Sequence, residues 1–202
     1  GSLLAIVTGS ARSLLAAERV ALNLLGQLSG VATATRELVD QIAGTNASLV
    51  DTRKTVPGLR ALQKAAVQAG GGQNHRMGLY DAVLIKDNHI AVAGSVEVAV
   101  EQARAAVGPG TSIEIEVEST EQLEAAIAAG ADIVMLDNMS VNEMREAVLI
   151  TDGRCRTEAS GGIMIGTVRE VAKTGVDMIS VGWITHSAPA LDVALDLEYL
   201  EG

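Results

Sequence analysis

The chain has 202 residues, a formal charge of −10 and 48% apolar residues with no Phe, which suits one domain whose core is Ala, Val, Ile and Leu. An acidic balance of this size repels nucleic acid and anionic membranes, and no apolar run approaches the roughly 18 residues that cross a bilayer. Cys155 is the single cysteine, so an intrachain disulfide and a multi-cysteine metal site are excluded, and with no secretory pattern at the N-terminus the chain reads as cytoplasmic.

Gly1-Ser2 has the look of a cut end, and the run Leu3 to Thr8 is expected to form a short strand, so residues 1–10 are set apart from an α/β domain over 11–202. In the first helix Leu14, Ala21, Leu25 and Leu28 recur at helical spacing, with Arg19 and Asn23 on the opposite face. Strand-like runs follow at Ala47 to Val50, Ala82 to Ile85, Ile113 to Glu118, Ile133 to Leu136, Arg156 to Ala159 and Met178 to Val181, separated by helix-like segments. Such alternation predicts βα units around a parallel sheet, and six strands are fewer than the eight of a closed (β/α)₈ barrel, so an incomplete TIM-like barrel is expected. Ser119 with Gln122, Ser140 with Glu143 and Thr167 with Glu170 have capping-box spacing, while Gly130 and Gly175 fall where helices should end. Strict alternation over Ile113 to Glu118 allows a solvated edge strand; in a barrel it would set Ile113, Ile115 and Val117 under helices and turn Glu114, Glu116 and Glu118 to the pore.

Chemistry-bearing residues gather just after the strands, where parallel barrels place active sites. Arg53 and Lys54 follow the first strand, His75 and Arg76 follow a triple-glycine turn, and Lys86 follows the second strand. These cations at one mouth of an acidic protein suit a small polyanion such as a dicarboxylate, although each alone could be an ordinary surface charge. Glu116 and Asp137 could hold Mg²⁺ or ribose hydroxyls, or be pore carboxylates neutralised by lysines. The run Ser160-Gly161-Gly162 precedes a helix and could offer bare amides to a phosphate at that helix's N-terminus. The segment from Gly182 to His186 follows the last strand, where such barrels often bind phosphate.

In order along the chain stand ER (18–19), DTRKT (51–55), GGxNHR (71–76), LIKDNH (84–89), EIEVE (114–118), LDN (136–138), EASGG (158–162) and GWxTHS (182–187). This series resembles the quinolinate phosphoribosyltransferases. The resemblance implies condensation of quinolinate with phosphoribosyl pyrophosphate, with Mg²⁺, to nicotinate mononucleotide, CO₂ and pyrophosphate, in NAD biosynthesis. It implies that Arg53, His75, Arg76 and Lys86 grip the pyridine dicarboxylate, with Lys54 between that pocket and the pyrophosphate. Glu116 and Asp137 would position the ribose and Mg²⁺, and Ser160, Gly161, Gly182 and His186 would cradle the 5′-phosphate. It further implies a homo-oligomer in which Arg19 reaches a neighbouring site, and an upstream sandwich domain capping the barrel mouth, of which residues 1–10 would be the remnant. Weak or absent turnover is the expectation without that cap. Other readings are a paralogous phosphoribosyltransferase-like protein with a changed base pocket, a Schiff-base aldolase using Lys86, and an excised barrel scaffold without turnover.

Overall fold

Aliphatic runs of three to five residues alternate with amphipathic helices, and the strands pair only with one another's parallel neighbours. In the computed structural model, which describes residues 1–198, the elements are α1 (Ala11–Ile42), β1 (Ser48–Val50), α2 (Arg60–Ala69), β2 (Val83–Ile85), α3 (Asp87–Ala93), α4 (Val96–Ala106) and β3 (Ile113–Val117). There follow α5 (Thr120–Ala128), β4 (Ile133–Asp137), α6 (Val141–Thr151), β5 (Arg156–Ser160), α7 (Val168–Ala172), β6 (Met178–Ser180) and α8 (Trp183–His186). The six strands form one parallel sheet in the order β1-β6-β5-β4-β3-β2. A single bridge from Val50 to Gln73 extends the β1 edge, and among the described residues no ladder joins β1 to β2. The parallel six-stranded α/β sheet is thus as expected from the sequence, with its β1 and β2 edges not joined by a ladder. Residues 199–202, the end of the predicted domain with its Tyr199, lie outside the described part.

Alternation decides which way β3 faces. Ile113, Ile115 and Val117 are fully buried in the aliphatic core with Val134, Leu136 and Ile179, while Glu114 and Glu116 take the other face. The edge-strand alternative fails, because β3 pairs on both sides, with β2 and β4. Ser119 and Ser140 cap α5 and α6 by accepting from the amides of Gln122 and Glu143, and Glu143 completes the box by accepting from the Ser140 amide at 2.6 Å. Gly130 and Gly175 end their helices with φ of 82° and 95°.

Three sequence expectations are corrected. Leu3 to Thr8 form no strand: they find no ladder partner, and Leu3, Leu4, Ile6 and Val7 are exposed. Along α1 the predicted face of Leu14, Ala21, Leu25 and Leu28 meets the core only at Leu28, since Ala21 and Leu25 are exposed and full burial begins at Gly26 and continues through Gly30, Val31, Ala34, Leu38 and Ile42. Gly30 shows why: the chain after α8 crosses so closely that a Cβ at Gly30 would lie 2.0 Å from the Pro189 carbonyl oxygen. Thr167 makes no capping box, because its hydroxyl bonds the Met164 amide and carbonyl in a turn. Among the described residues no helix is long and apolar enough to cross a membrane.

Candidate active site

The loops after the strands surround one cavity of about 880 Å³. Its wall includes Arg53 and Lys54 after β1, Lys86 after β2, Glu116 on β3, Asp137 on β4, and Ser160 and Gly161 at the end of β5, together with His75 and Arg76. Arg53 and Lys86 follow the two opposite edges of the sheet yet share this cavity, so the sheet curls around it.

A buried hub holds the cationic side. Lys64 on α2 and Asp51 after β1 form an ion pair with side chains 1% and 0% exposed. Lys64 also donates to the His75 carbonyl (2.8 Å), and the His75 amide donates to Asp51 Oδ1 (2.9 Å). Asn74 joins when its amide nitrogen faces Asp51 Oδ2 at 2.7 Å. Burial pushes the Asp51 carboxyl above its ordinary value, and Lys64 works against that. One turn earlier, Arg60 ties the two loops together by donating to Thr55 Oγ1, to the Arg53 carbonyl and to the Met77 carbonyl. Gln63 does the same for the last loop, accepting from the Val56 amide and donating to the Thr185 carbonyl. None of Arg60, Gln63 and Lys64 stood out in the sequence. The available signal was three polar residues, Arg60, Gln63 and Lys64, within one turn at the start of a short helix whose other positions are mostly apolar.

Arg53 and Arg76 are short of anionic partners. Arg53 Nε is buried without a hydrogen-bond acceptor. Arg76 donates to the Ala82 carbonyl at 3.2 Å, and burial together with the Arg53 charge pulls its guanidinium below the ordinary value. Two neighbouring guanidinium groups at the cavity wall, the charge of Arg76 disfavoured by Arg53, suit an anionic ligand. Lys86 differs: it is paired with Glu116, and its side chain is 47% exposed.

His75 sits over two buried acids. Its Nε2 lies 2.9 Å from Glu114 Oε2 and 3.3 Å from Glu158 Oε2. Burial by itself disfavours the charged ring, but the hydrogen bond to Glu114 and the charges of Glu158 and Glu114 raise His75 to about 10. Burial, with Glu158 adding and His75 opposing, raises Glu114 to about 7. The Arg76 amide donates to His75 Nδ1 at 2.8 Å, which requires a lone pair there. The neutral ring in this geometry therefore carries its proton on Nε2, facing the two carboxylates. These three side chains also form the one group of at least three potential metal ligands within 4.8 Å among the described residues. Glu114 and Glu158 were missed as site residues in the sequence, where Glu114 read only as a pore-facing acid.

On the opposite wall, Asn138 holds a left-handed backbone (φ 54°) and donates to Asp137 Oδ2 at 2.6 Å. Gly161, with φ 101°, lies so close that a Cβ would stand 2.2 Å from Asn138 Oδ1, so only glycine fits. The glycine pair is not at a helix N-terminus as expected, because α7 begins only at Val168. Gly182 and His186 do not line the main cavity but adjoin it through Lys54, whose Cδ would be 3.2 Å from a Cβ at Gly182, with His186 Nε2 at 3.6 Å. Arg19 is the one predicted site residue well away from the mouth: its side chain is 74% exposed on α1, near Glu18.

Comparison with known proteins agrees with this geometry. A family profile described as quinolinate phosphoribosyl transferase, C-terminal domain, matches residues 31–196. The chain is 49% identical over 197 residues to a probable nicotinate-nucleotide pyrophosphorylase [carboxylating] of Bacillus subtilis, covering 98% of this chain and 68% of that protein. It is 50% identical over 200 residues to the Mycobacterium leprae nicotinate-nucleotide pyrophosphorylase [carboxylating], covering 98% of this chain and 70% of that protein. The crystal structure of NadC from Streptococcus pyogenes superposes with a TM-score of 0.91 at 47% identity, over 96% of this chain and 68% of that one. With the profile spanning most of the sequence and the predicted cations, acids and glycines set around one mouth, the chain belongs to the quinolinate phosphoribosyltransferase family.

Proposed function

We propose that this site transfers a phosphoribosyl group from phosphoribosyl pyrophosphate to quinolinate, with loss of CO₂, giving nicotinate mononucleotide and pyrophosphate. The observation that carries the reading is the half-buried Arg53–Arg76 pair at the cavity wall, where Arg53 Nε has no hydrogen-bond acceptor and the Arg53 charge disfavours that of Arg76. Two guanidinium groups and the nearby His75 suit two adjacent carboxylates on a planar ring. Held there, the pyridine nitrogen can attack the anomeric carbon in line with departing pyrophosphate, so the protein supplies alignment and charge neutralisation and no covalent nucleophile. Loss of CO₂ then leaves its electron pair on the ring carbon beside the quaternised nitrogen, where the positive charge stabilises it until a proton from water replaces the lost carboxylate. Lys54, next to Gly182 and the cavity, is placed to neutralise phosphate charge.

Glu116 and Asp137 present hard carboxylate oxygens to the same cavity, a donor set that fits Mg²⁺ brought in with the pyrophosphate. When bound, the ion would neutralise phosphate oxygens. Ser160, Gly161, Gly182 and His186 would take the 5′-phosphate. Arg19 would act from a neighbouring copy in a homo-oligomer, a role supported by the exposed Leu15, Val20 and Leu25 around it on α1. The lone free Cys155 fits a reducing, cytoplasmic setting.

The Schiff-base reading is disfavoured because Lys86 is ion-paired and half exposed, whereas such a lysine needs desolvation. Calorimetry with quinolinate and nicotinate tests the proposal, since nicotinate lacks the second carboxylate. We expect quinolinate to bind at least about tenfold more tightly, and an Arg76→Lys variant to lose most of that preference. Equal affinities would overturn the assignment, as would nicotinate as the preferred ligand. Detection of nicotinate mononucleotide from quinolinate and phosphoribosyl pyrophosphate tests turnover directly.

A further inference from the structure

We propose that Glu158 and Glu114 are positioning residues that lock the His75 imidazole in one plane and one tautomer, so that the incoming dicarboxylate meets a fixed ring. The inference rests on the proposed quinolinate site and adds two residues to it.

The two acids come from β5 and β3, with β4 between them: Glu158 pairs in register with Met135, and Glu114 with Ile133. Both point to the inner face of the sheet, where Glu158 is fully buried and Glu114 is 3% exposed. Glu114 Oε1 and both oxygens of Glu158 have no hydrogen-bond donor. Two carboxylates buried side by side with unfilled oxygens are costly, and apolar residues of similar volume would stabilise this floor better. Such an arrangement is retained where it does something for a neighbour.

That neighbour is His75, which is held on every side. Its amide is fixed by Asp51 and its carbonyl by Lys64, so the backbone cannot shift. Its Nδ1 accepts from the Arg76 amide, and its Nε2–H points between Glu114 and Glu158. Both ring nitrogens are occupied, so a rotation about either side-chain bond breaks two contacts at once. The ring orientation is thereby tied to the Arg76 backbone, and the same acids that fix His75 help set where Arg76 begins. Of the two, only Glu158 lines the cavity, so its effect on the ligand is the more direct.

The test is Glu158→Gln in this chain, with Glu114→Gln as a second isosteric variant in case the first folds poorly. Long-range ¹H–¹⁵N spectra of the imidazoles read the tautomer, and calorimetry reads quinolinate and phosphoribosyl pyrophosphate separately. With the ring neutral, above its raised titration, the wild type should show His75 protonated on Nε2 with a lone pair on Nδ1. In either variant the His75 signals should move toward a mixture of tautomers. Quinolinate affinity should fall by roughly 10- to 100-fold, with phosphoribosyl pyrophosphate affinity held within about twofold. An equal loss of both ligands would mark the acids as general supports of the fold and overturn the proposal. So would unchanged quinolinate affinity, or an Nδ1–H tautomer in the neutral wild-type ring. Failure of the functional reading itself looks different: the wild type would then bind no quinolinate, while the tautomer spectra would still report whether the acids fix the ring.

Discussion

Lys64→Met removes the cation of the buried hub and leaves Asp51 in place. With the two side chains 1% and 0% exposed, water cannot replace the lost partner, and Asp51 keeps only the His75 amide and Asn74 as donors. Breaking one side of such a pair costs about 3–5 kcal/mol, a large share of the roughly 5–15 kcal/mol that holds a domain folded. The cost depends on pH in a defined direction. Burial already raises Asp51 above its ordinary value of 3.8, and without Lys64 it rises further, so the folded variant binds this proton more tightly than the unfolded chain. The deficit is therefore small near pH 4 and grows as pH rises through the raised value. Urea unfolding at pH 5 and pH 8 should show a larger destabilisation at pH 8 with an unchanged denaturant slope. Adding Asp51→Asn should recover part of the loss at pH 8, because the amide removes the unpaired charge while its oxygen still accepts from the His75 amide. A destabilisation under about 1 kcal/mol, or one equal at both pH values, would refute the assignment of a buried charged pair.

Gly161→Ala should destabilise the chain by at least about 1–2 kcal/mol through its left-handed backbone alone, and more through displacement of Asn138. It should weaken inorganic phosphate binding more than quinolinate binding, as measured by calorimetry. Ser140→Ala should cost about 1 kcal/mol in urea unfolding with ligand affinities unchanged, since it only uncaps α6. Overall stability should decline with rising pH across the titration of the His75 trio. Glu114 is raised from 4.5 to about 7 and His75 from 6.5 to about 10, so both contributions are complete below the ordinary values and are lost as pH passes the raised ones. Melting temperatures of Glu158→Gln should decline less steeply between pH 7 and 10; a slope equal to the wild type's would contradict the effect of the Glu158 charge on His75.

Sequence alone determined the architecture here because parallel strands and their helices carry local marks. The six strand segments, the Ser119 and Ser140 caps and the Gly130 and Gly175 stops each depend on neighbours a few residues away, and each is present in the structure. Strand ends are local too, which is why Arg53, Lys54, Lys86, Glu116, Asp137 and Ser160 could be assigned to one mouth before any coordinates. Tertiary structure decided what depends on partners far along the chain. Which face of α1 is buried followed from Pro189 and Leu191 crossing at Gly30 and Gly26, which helical spacing within α1 cannot report. The roles of Lys64, Glu114 and Glu158 likewise arise from contacts spanning 11 to 83 positions: Lys64 reaches His75 across 11, and Glu158 reaches the same ring from β5. A lysine on a helix and a glutamate on a strand look like ordinary solvated charges until folding removes their water, and burial is a property of the assembled barrel.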